Sequence, residues 1–218
     1  METSQPANPS ETLRLLRRAA AGDEAVWASL LMQHRQRLRC MIALRMDRRL
    51  QGRIDPSDVL QDAYLHASRK LADYVTNPAI PFFLWLRFIT GQKLVELHRH
   101  HLGAQMRDAG REISLYRGAL PETSSAALAA QLLGHDTRPS EAAVRAERKI
   151  RLQEALNSMD ALDREVLALR HFEQLSTAEA AQVLGIKPKA AGKRYLRALE
   201  RLKDILSNMP GGLGEFRL

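Results

Sequence analysis

The sequence predicts an all-α protein, two small helical domains joined by a linker, and three observations carry that prediction. Long segments rich in Ala, Leu, Arg, Glu and Gln place apolar residues three and four apart, the repeat of a helix with one buried face. Glycine and proline are scarce inside these segments and mark the breaks between them. Between about Asp108 and Pro139 the repeat weakens, and glycine, serine, threonine and proline gather around a short apolar patch at Leu128, Leu132 and Leu133. The predicted boundaries are therefore a first domain over 11–107, a linker over 108–139 and a second domain over 140–207.

Each element has a local reason. The polar, proline-containing first ten residues are expected to be disordered, with a helix opening at Ser10 or Thr12 and broken at Gly22-Asp23. From Glu24 to Leu50 the apolar positions Val26, Leu30, Leu31, Leu38, Ile42 and Met46 predict one amphipathic helix or two, flanked by a run of arginines. Asp55-Pro56-Ser57-Asp58 is a helix start, because proline fits the first turn and carboxylates there meet unpaired backbone amides. That helix should run to about Tyr74, and Phe82 to His101 reads as the next. Periodicity returns at Ser140, with breaks near Asp160 and Ser176.

The chain has 218 residues and is 45% hydrophobic, enough to build a core without metals or disulfides. Its formal charge of +8 favours polyanionic partners, nucleic acid first. The single cysteine, Cys40, lies among Leu38, Met41 and Ile42 and is expected to pack as a small apolar side chain. No apolar run approaches the roughly 20 residues that span a bilayer, and the start lacks the layout of a signal peptide. The expectation is a cytoplasmic protein without membrane insertion.

The most specific local pattern lies between Leu162 and Leu206. Ser176-Thr177-Ala178-Glu179 has the form of a capping box, Gly185 tolerates the positive φ that ends a helix, and Ile186 plugs the corner. Pro188 then opens a second helix whose stripe Ala191, Tyr195, Leu199, Leu202 and Leu206 must face the core. Its other faces hold Lys189, Lys193 and Arg197 at four-residue spacing, with Lys187, Arg194, Arg201 and Lys203 beside them. A solvated basic face alone would show the same charges. The turn and the core stripe together point instead to a helix-turn-helix on duplex DNA, with Lys189, Ala190, Lys193 and Arg194 as base-edge candidates. His98, His100 and His101 lack the partners and the placement of a metal set, and no glycine-framed elbow or phosphate loop suggests catalysis or a cofactor.

Leu162-Asp163-Arg164-Glu165-Val166-Leu167-Ala168-Leu169-Arg170-His171-Phe172-Glu173, followed by Leu175-Ser176, Glu179-Ala180-Ala181 and Leu184-Gly185-Ile186, resembles domain four of bacterial sigma factors. In the first half, Asp55-Pro56-Ser57-Asp58-Val59-Leu60-Gln61-Asp62-Ala63-Tyr64 resembles a segment of sigma domain two, and Phe83-Leu84-Trp85-Leu86 with Ile89 resembles its promoter-melting helix. The ordered pair, with a short linker between, is similar to the extracytoplasmic-function (ECF) branch of the sigma-70 family over about residues 11 to 206.

The resemblance implies a non-enzymatic subunit that binds core RNA polymerase through its clamp coiled coil and flap and recognises promoter DNA with both domains. It also leaves room for an anti-sigma factor as a partner. Carried over by position, Asp55, Asp58, Gln61 and Asp62 would face the polymerase clamp, and an acidic helix face suits an Arg-rich surface. Arg87, Phe88, Gln92, Lys93, Glu96 and Arg99 would serve the minus-10 element and melting, while Trp85 is expected to face the core. Lys187, Lys189, Ala190, Lys193, Arg194 and Arg197 would serve the minus-35 element. Gln92, Glu96, Lys187, Pro188 and Gly192 depart from the usual family residues, so the base preference does not follow from family averages. Two other classes fit the charge: a freestanding operator-binding regulator, and an enzyme acting on nucleic acid. The domain-two resemblance argues against the first, and no residue constellation recommends the second.

Overall fold

Residues 9–102, 120–133 and 142–208 are described by the structure, a computed structural model. Of the ten residues expected to be disordered at the start, 1–8 lie outside the described residues, while Pro9 and Ser10 already belong to the first helix. The first domain holds α1 (Pro9–Ala20), α2 (Glu24–Arg45), α3 (Pro56–Thr76) and α4 (Phe82–Leu102). Gly22 takes φ +100° at the first break, and the Asp23 carboxylate caps α2 by accepting from the Val26 amide at 3.1 Å. The Glu24 to Leu50 segment is a single helix that stops at Arg45, and a tight turn brings the Leu50 amide onto the Asp47 carbonyl at 2.9 Å.

Asp55 caps α3 as its position predicts, accepting from the Ser57 amide at 2.7 Å. The core forms where Leu38, Met41 and Ile42 of α2 meet Ala63, Ala67 and Leu71 of α3 and Phe82, Phe83, Leu86, Ile89 and Leu94 of α4, all buried. Each such large apolar side chain contributes about 1.5–3 kcal/mol relative to exposure. The Tyr74 hydroxyl donates to the Ile80 carbonyl at 2.8 Å and so ties down the loop between α3 and α4.

The second half contains α5 (Ser125–Leu132), α6 (Ala142–Asn157), α7 (Ala161–Leu167), α8 (Thr177–Leu184) and α9 (Pro188–Ser207). The linker stretch thus carries a helix of its own: Ser124 caps α5, and Leu128, Ala129 and Leu132 bury their side chains as α5 packs against α2 and α6. Asp160 caps α7 through the Leu162 amide at 2.8 Å. Helix α7 runs on into a π-helical turn, Ala168–Phe172, where the Glu173 amide reaches back to the Ala168 carbonyl at 2.8 Å. The extra residue in that turn rotates Glu173 and its successors by about 100° around the helix axis. Among the described residues, the only β pairing is an isolated bridge between Gln51 and Ile54, and no helix is long and apolar enough to cross a membrane.

Candidate nucleic-acid interface

The turn between α8 and α9 forms as its residues require. The Ser176 hydroxyl accepts from the Glu179 amide at 3.2 Å while the Glu179 carboxylate accepts from the Ser176 amide at 2.8 Å. Gly185 takes φ +63°, and the Ile186 amide bonds the Ala181 carbonyl at 3.0 Å. Helix α9 buries Ala191, Ala198, Leu202 and Leu206, while Tyr195 and Leu199 are half-buried against the same core. Ala198 is the stripe position that the spacing argument passed over, since its small side chain sits between the larger ones.

With that stripe turned inward, Lys187, Lys189, Ala190, Lys193 and Arg197 stand exposed. None of the four cations has a carboxylate in salt-bridge range among the described residues. Arg194 is different. It is half-buried, donates to the Asp163 carboxylate at 2.7 Å and lies 3.5 Å from that of Asp160, so it ties α9 to the start of α7. Gly192 has an ordinary environment: a Cβ there would meet only the Thr177 methyl, at 3.6 Å.

On α4 the expected DNA-side positions divide. Gln92 and Lys93 are half-buried and Glu96 and Arg99 exposed, with Lys93 Nζ paired to Glu96 at 2.6 Å. Trp85 is half-buried and stacks on Tyr74 and Phe82, and Phe88 packs partly against the core. Arg87 corrects the sequence reading for the closed chain: it is 4% exposed and its Nε donates to the Glu173 carboxylate at 2.7 Å. Helical spacing puts Arg87 on the rim of α4, but a carboxylate 86 residues away takes that rim inside.

The start of α3 carries a short acidic and amide row. Asp55 caps α3, and Asp58, Gln61 and Asp62 line its first turns, all four exposed, and Leu65, 55% exposed, extends their row. The Ser57 amide and hydroxyl hold the Asp55 carboxyl below its ordinary range. Three histidines lie near the end of α4, and His98 among them is buried and accepts from the Asp47 amide at 3.2 Å.

Sequence reasoning missed the contact between the two halves. Arg45 of α2, fully buried, pairs with Glu165 of α7 and, at 2.6 Å, with Glu173. Burial alone would raise the Glu173 carboxyl, but Arg45 and Arg87 outweigh it and hold Glu173 below the usual range. Arg37 lies 3.5 Å above the Phe83 ring and donates to the Glu173 and Gln174 carbonyls at 2.8 and 3.2 Å. A signal existed. Arg45 follows Leu38 and Ile42 at helical spacing, so it sits on the buried stripe of α2, where a charge requires a partner.

A helical chain with a capped helix-turn-helix, an exposed basic second helix and a separate acidic helix face has the layout of a DNA-binding protein. Comparison with known proteins makes the class specific. The model of sigma-70 region 4 matches residues 149–202. The RNA polymerase sigma factor NccH of Alcaligenes xylosoxydans xylosoxydans is 28% identical over 203 residues, 92% of this chain and 97% of that one. The ECF RNA polymerase sigma factor SigD of Mycobacterium tuberculosis (strain H37Rv) is 31% identical over 151 residues, 69% of this chain and 63% of that one. Among solved structures, CnrH in complex with the cytosolic domain of CnrY has a TM-score of 0.54 at 25% identity, covering 91% of this chain and 98% of that one. The second half of the chain thus carries a sigma-70 region 4, and the similarity over most of its length supports a member of the extracytoplasmic-function branch of that family, a transcription initiation factor. Sigma factors bind core RNA polymerase and promoter DNA.

Proposed function

We propose that this chain directs core polymerase to promoters by gripping a minus-35 element with α9 and a minus-10 element with α4, whose strands it helps to separate. The observation that carries the reading is the exposed basic face of α9, presented by a capped turn. Such a helix enters the major groove amino-terminal end first, so Lys187, Lys189, Ala190 and Lys193 reach base edges and nearby phosphates, and Arg197 meets the backbone beyond them. Arg194 supports the helix from behind through Asp163 rather than reading bases.

On α4, Gln92, Lys93, Glu96 and Arg99 line the surface offered to the minus-10 strand, with Phe88 and Trp85 forming the aromatic wall beneath. Asp55, Asp58, Gln61 and Asp62 dock on the polymerase clamp, where an Arg-rich coiled coil would complement them, and domain four meets the flap. Because CnrH was solved with the cytosolic domain of CnrY, a partner that holds this chain inactive in the cytoplasm fits the same reading.

The test is run-off transcription from genomic promoter fragments with core polymerase and the purified chain. Discrete transcripts that depend on the chain are expected. A chain that fails to bind core polymerase would overturn the reading.

A further inference from the structure

The contact between the domains is made by side chains whose chemistry suits a different ligand. Arg37 and Arg45 of α2 and Arg87 of α4 form one guanidinium face, and Glu165 and Glu173 are the two carboxylates set against it. The Glu173 carboxylate lies 2.6 Å from Arg45 and 2.7 Å from Arg87, and Glu165 pairs with Arg45 and lies 3.9 Å from Arg87. Glu179 of α8 adds its charge near Arg37, so the three cations meet carboxylates of α7, α8 and the turn between them. The face is also incompletely served: Arg45 Nε and Arg87 Nη2 are buried and donate no hydrogen bond among the described residues.

The loop that brings Glu173 in is strained. Gln174 takes φ +55°, the only positive value at a non-glycine among the described residues, while its carbonyl faces Arg37. The linker seals the same seam. The Thr123 hydroxyl donates to Glu165 at 2.5 Å, the Ser124 amide donates to the Leu44 carbonyl at 2.9 Å, and Leu120 covers Gly91 of α4 so closely that a Cβ there would run into it.

A guanidinium fork binds a carboxylate and a phosphate with the same pair of parallel bonds. An arginine face at the seam, two of whose buried donors are left over by the carboxylates that hold it, therefore has the chemistry of a phosphate site in the hands of a substitute. We propose that Glu165 and Glu173 stand in for DNA phosphates: they occupy an arginine cradle formed by Arg37 and Arg87, backed by Arg45, that takes the promoter backbone beside the minus-10 element once domain four moves away. This rests on the reading of α4 as the promoter-melting helix. Closure and engagement of DNA by the first domain then exclude each other, whereas α9 stays exposed in the closed chain. Breaking the latch frees Arg87 for the DNA-side role that its position on α4 suggests.

The experiment uses the full chain, small-angle scattering for its dimensions and a fluorescent oligothymidylate as a sequence-independent single-stranded probe. The double variant Glu165→Gln and Glu173→Gln should expand the chain and tighten oligothymidylate binding about fivefold or more, the range of a typical coupling between sites. Adding Arg87→Ala should abolish the gain in binding and leave the expanded dimensions. Helical circular dichroism and binding of a duplex by α9 report whether the variant is folded. If it is not, saturating the unaltered chain with oligothymidylate should itself produce the expansion. A double variant that is folded but neither expands nor binds more tightly overturns the proposal. So does a gain that survives Arg87→Ala, or an unaltered chain that binds the probe without opening. None of these measurements contains polymerase, so a failure of the transcription reading is seen separately in the run-off assay.

Discussion

Lys193 and Arg194 are neighbours on α9 with the same charge and different surroundings. Lys193 is exposed on the proposed DNA face, whereas Arg194 is half-buried against Asp163 and Asp160. Replacing Lys193 with alanine should weaken binding to every duplex and reduce the salt slope by about one, the signature of one lost phosphate contact. Replacing Arg194 with alanine should instead lower the melting temperature, by removal of a pair worth up to about 1 kcal/mol. Anisotropy titrations across a salt series and thermal melts of both variants separate the two roles. The sequence makes the shared face of these residues legible, because helical spacing is local. It does not reveal a carboxylate 31 residues away, because only the packing of α9 on α7 brings that group within reach. Arg87 and Glu173 escape the sequence for the same reason. His34 adds a pH dependence at this scale. Burial first and Arg37 second push its imidazole down to about 4, and it packs between the Phe82 and Phe83 rings. Because the unfolded chain takes up this proton near pH 6.5 and the folded chain resists it, stability is fully present above 6.5 and declines as the pH falls toward 4. The loss reaches the order of 3 kcal/mol. His66, His98 and His171 are depressed by burial as well and share the slope, so urea melts of His34→Gln should show a shallower decline between pH 7 and 4.5, with an unchanged slope counting against the assignment.

At the scale of elements, two helical glycines of the same type are predicted to respond in opposite directions. A methyl on Gly192 in α9 meets only the Thr177 methyl at van der Waals distance, so Gly192→Ala should stabilise domain four by up to about 1 kcal/mol through helix propensity. A methyl on Gly91 in α4 runs into Leu120, so Gly91→Ala should push the linker off α4 and lower stability. Thermal melts decide both signs. If Gly192→Ala is more stable but binds DNA less tightly, the glycine serves close approach of the α9 backbone to DNA. If DNA binding is unchanged, it is merely tolerated. Helices announced by caps were legible in this chain. Asp55-Pro56 and the Ser176 to Glu179 box each place a helix start at the residue where the structure has it, because a cap is a bond between near neighbours. Helix α5 was not legible, since its eight residues lie in a stretch with linker composition. What fixes it is tertiary, the burial of Leu128, Ala129 and Leu132 against α2 and α6. The π turn after α7 is equally silent in the sequence, because it depends on where Glu173 is drawn rather than on any local preference.

At the scale of the whole molecule, the fold class and the order of the helices follow from periodicity, but the closed arrangement of the halves does not, and one native side chain can report on it. Cys40 is the single cysteine of the chain, half-buried on α2 within reach of the Glu173 and Arg45 charges. Burial, and after it the nearby charge of Glu173, push its thiol up to about 11. Relative to a thiol at the ordinary 9.0, a roughly hundredfold smaller fraction is thiolate near neutral pH, so the free chain should react slowly with a disulfide reagent. Separation of the halves would take Glu173 away and admit solvent to that side of α2. Both changes lower the pKa of the thiol. The reaction rate of Cys40 should therefore rise when core polymerase, or an oligonucleotide that fills the arginine cradle, holds the chain open, and it should rise in the Glu165→Gln, Glu173→Gln variant without either ligand. A reagent that detects released thiolate by absorbance measures this without labels, and a denatured sample gives the upper limit. If polymerase binds and the Cys40 rate stays at that of the free chain, the halves remain together on the enzyme, and the closed packing is the working form of the molecule rather than its resting one.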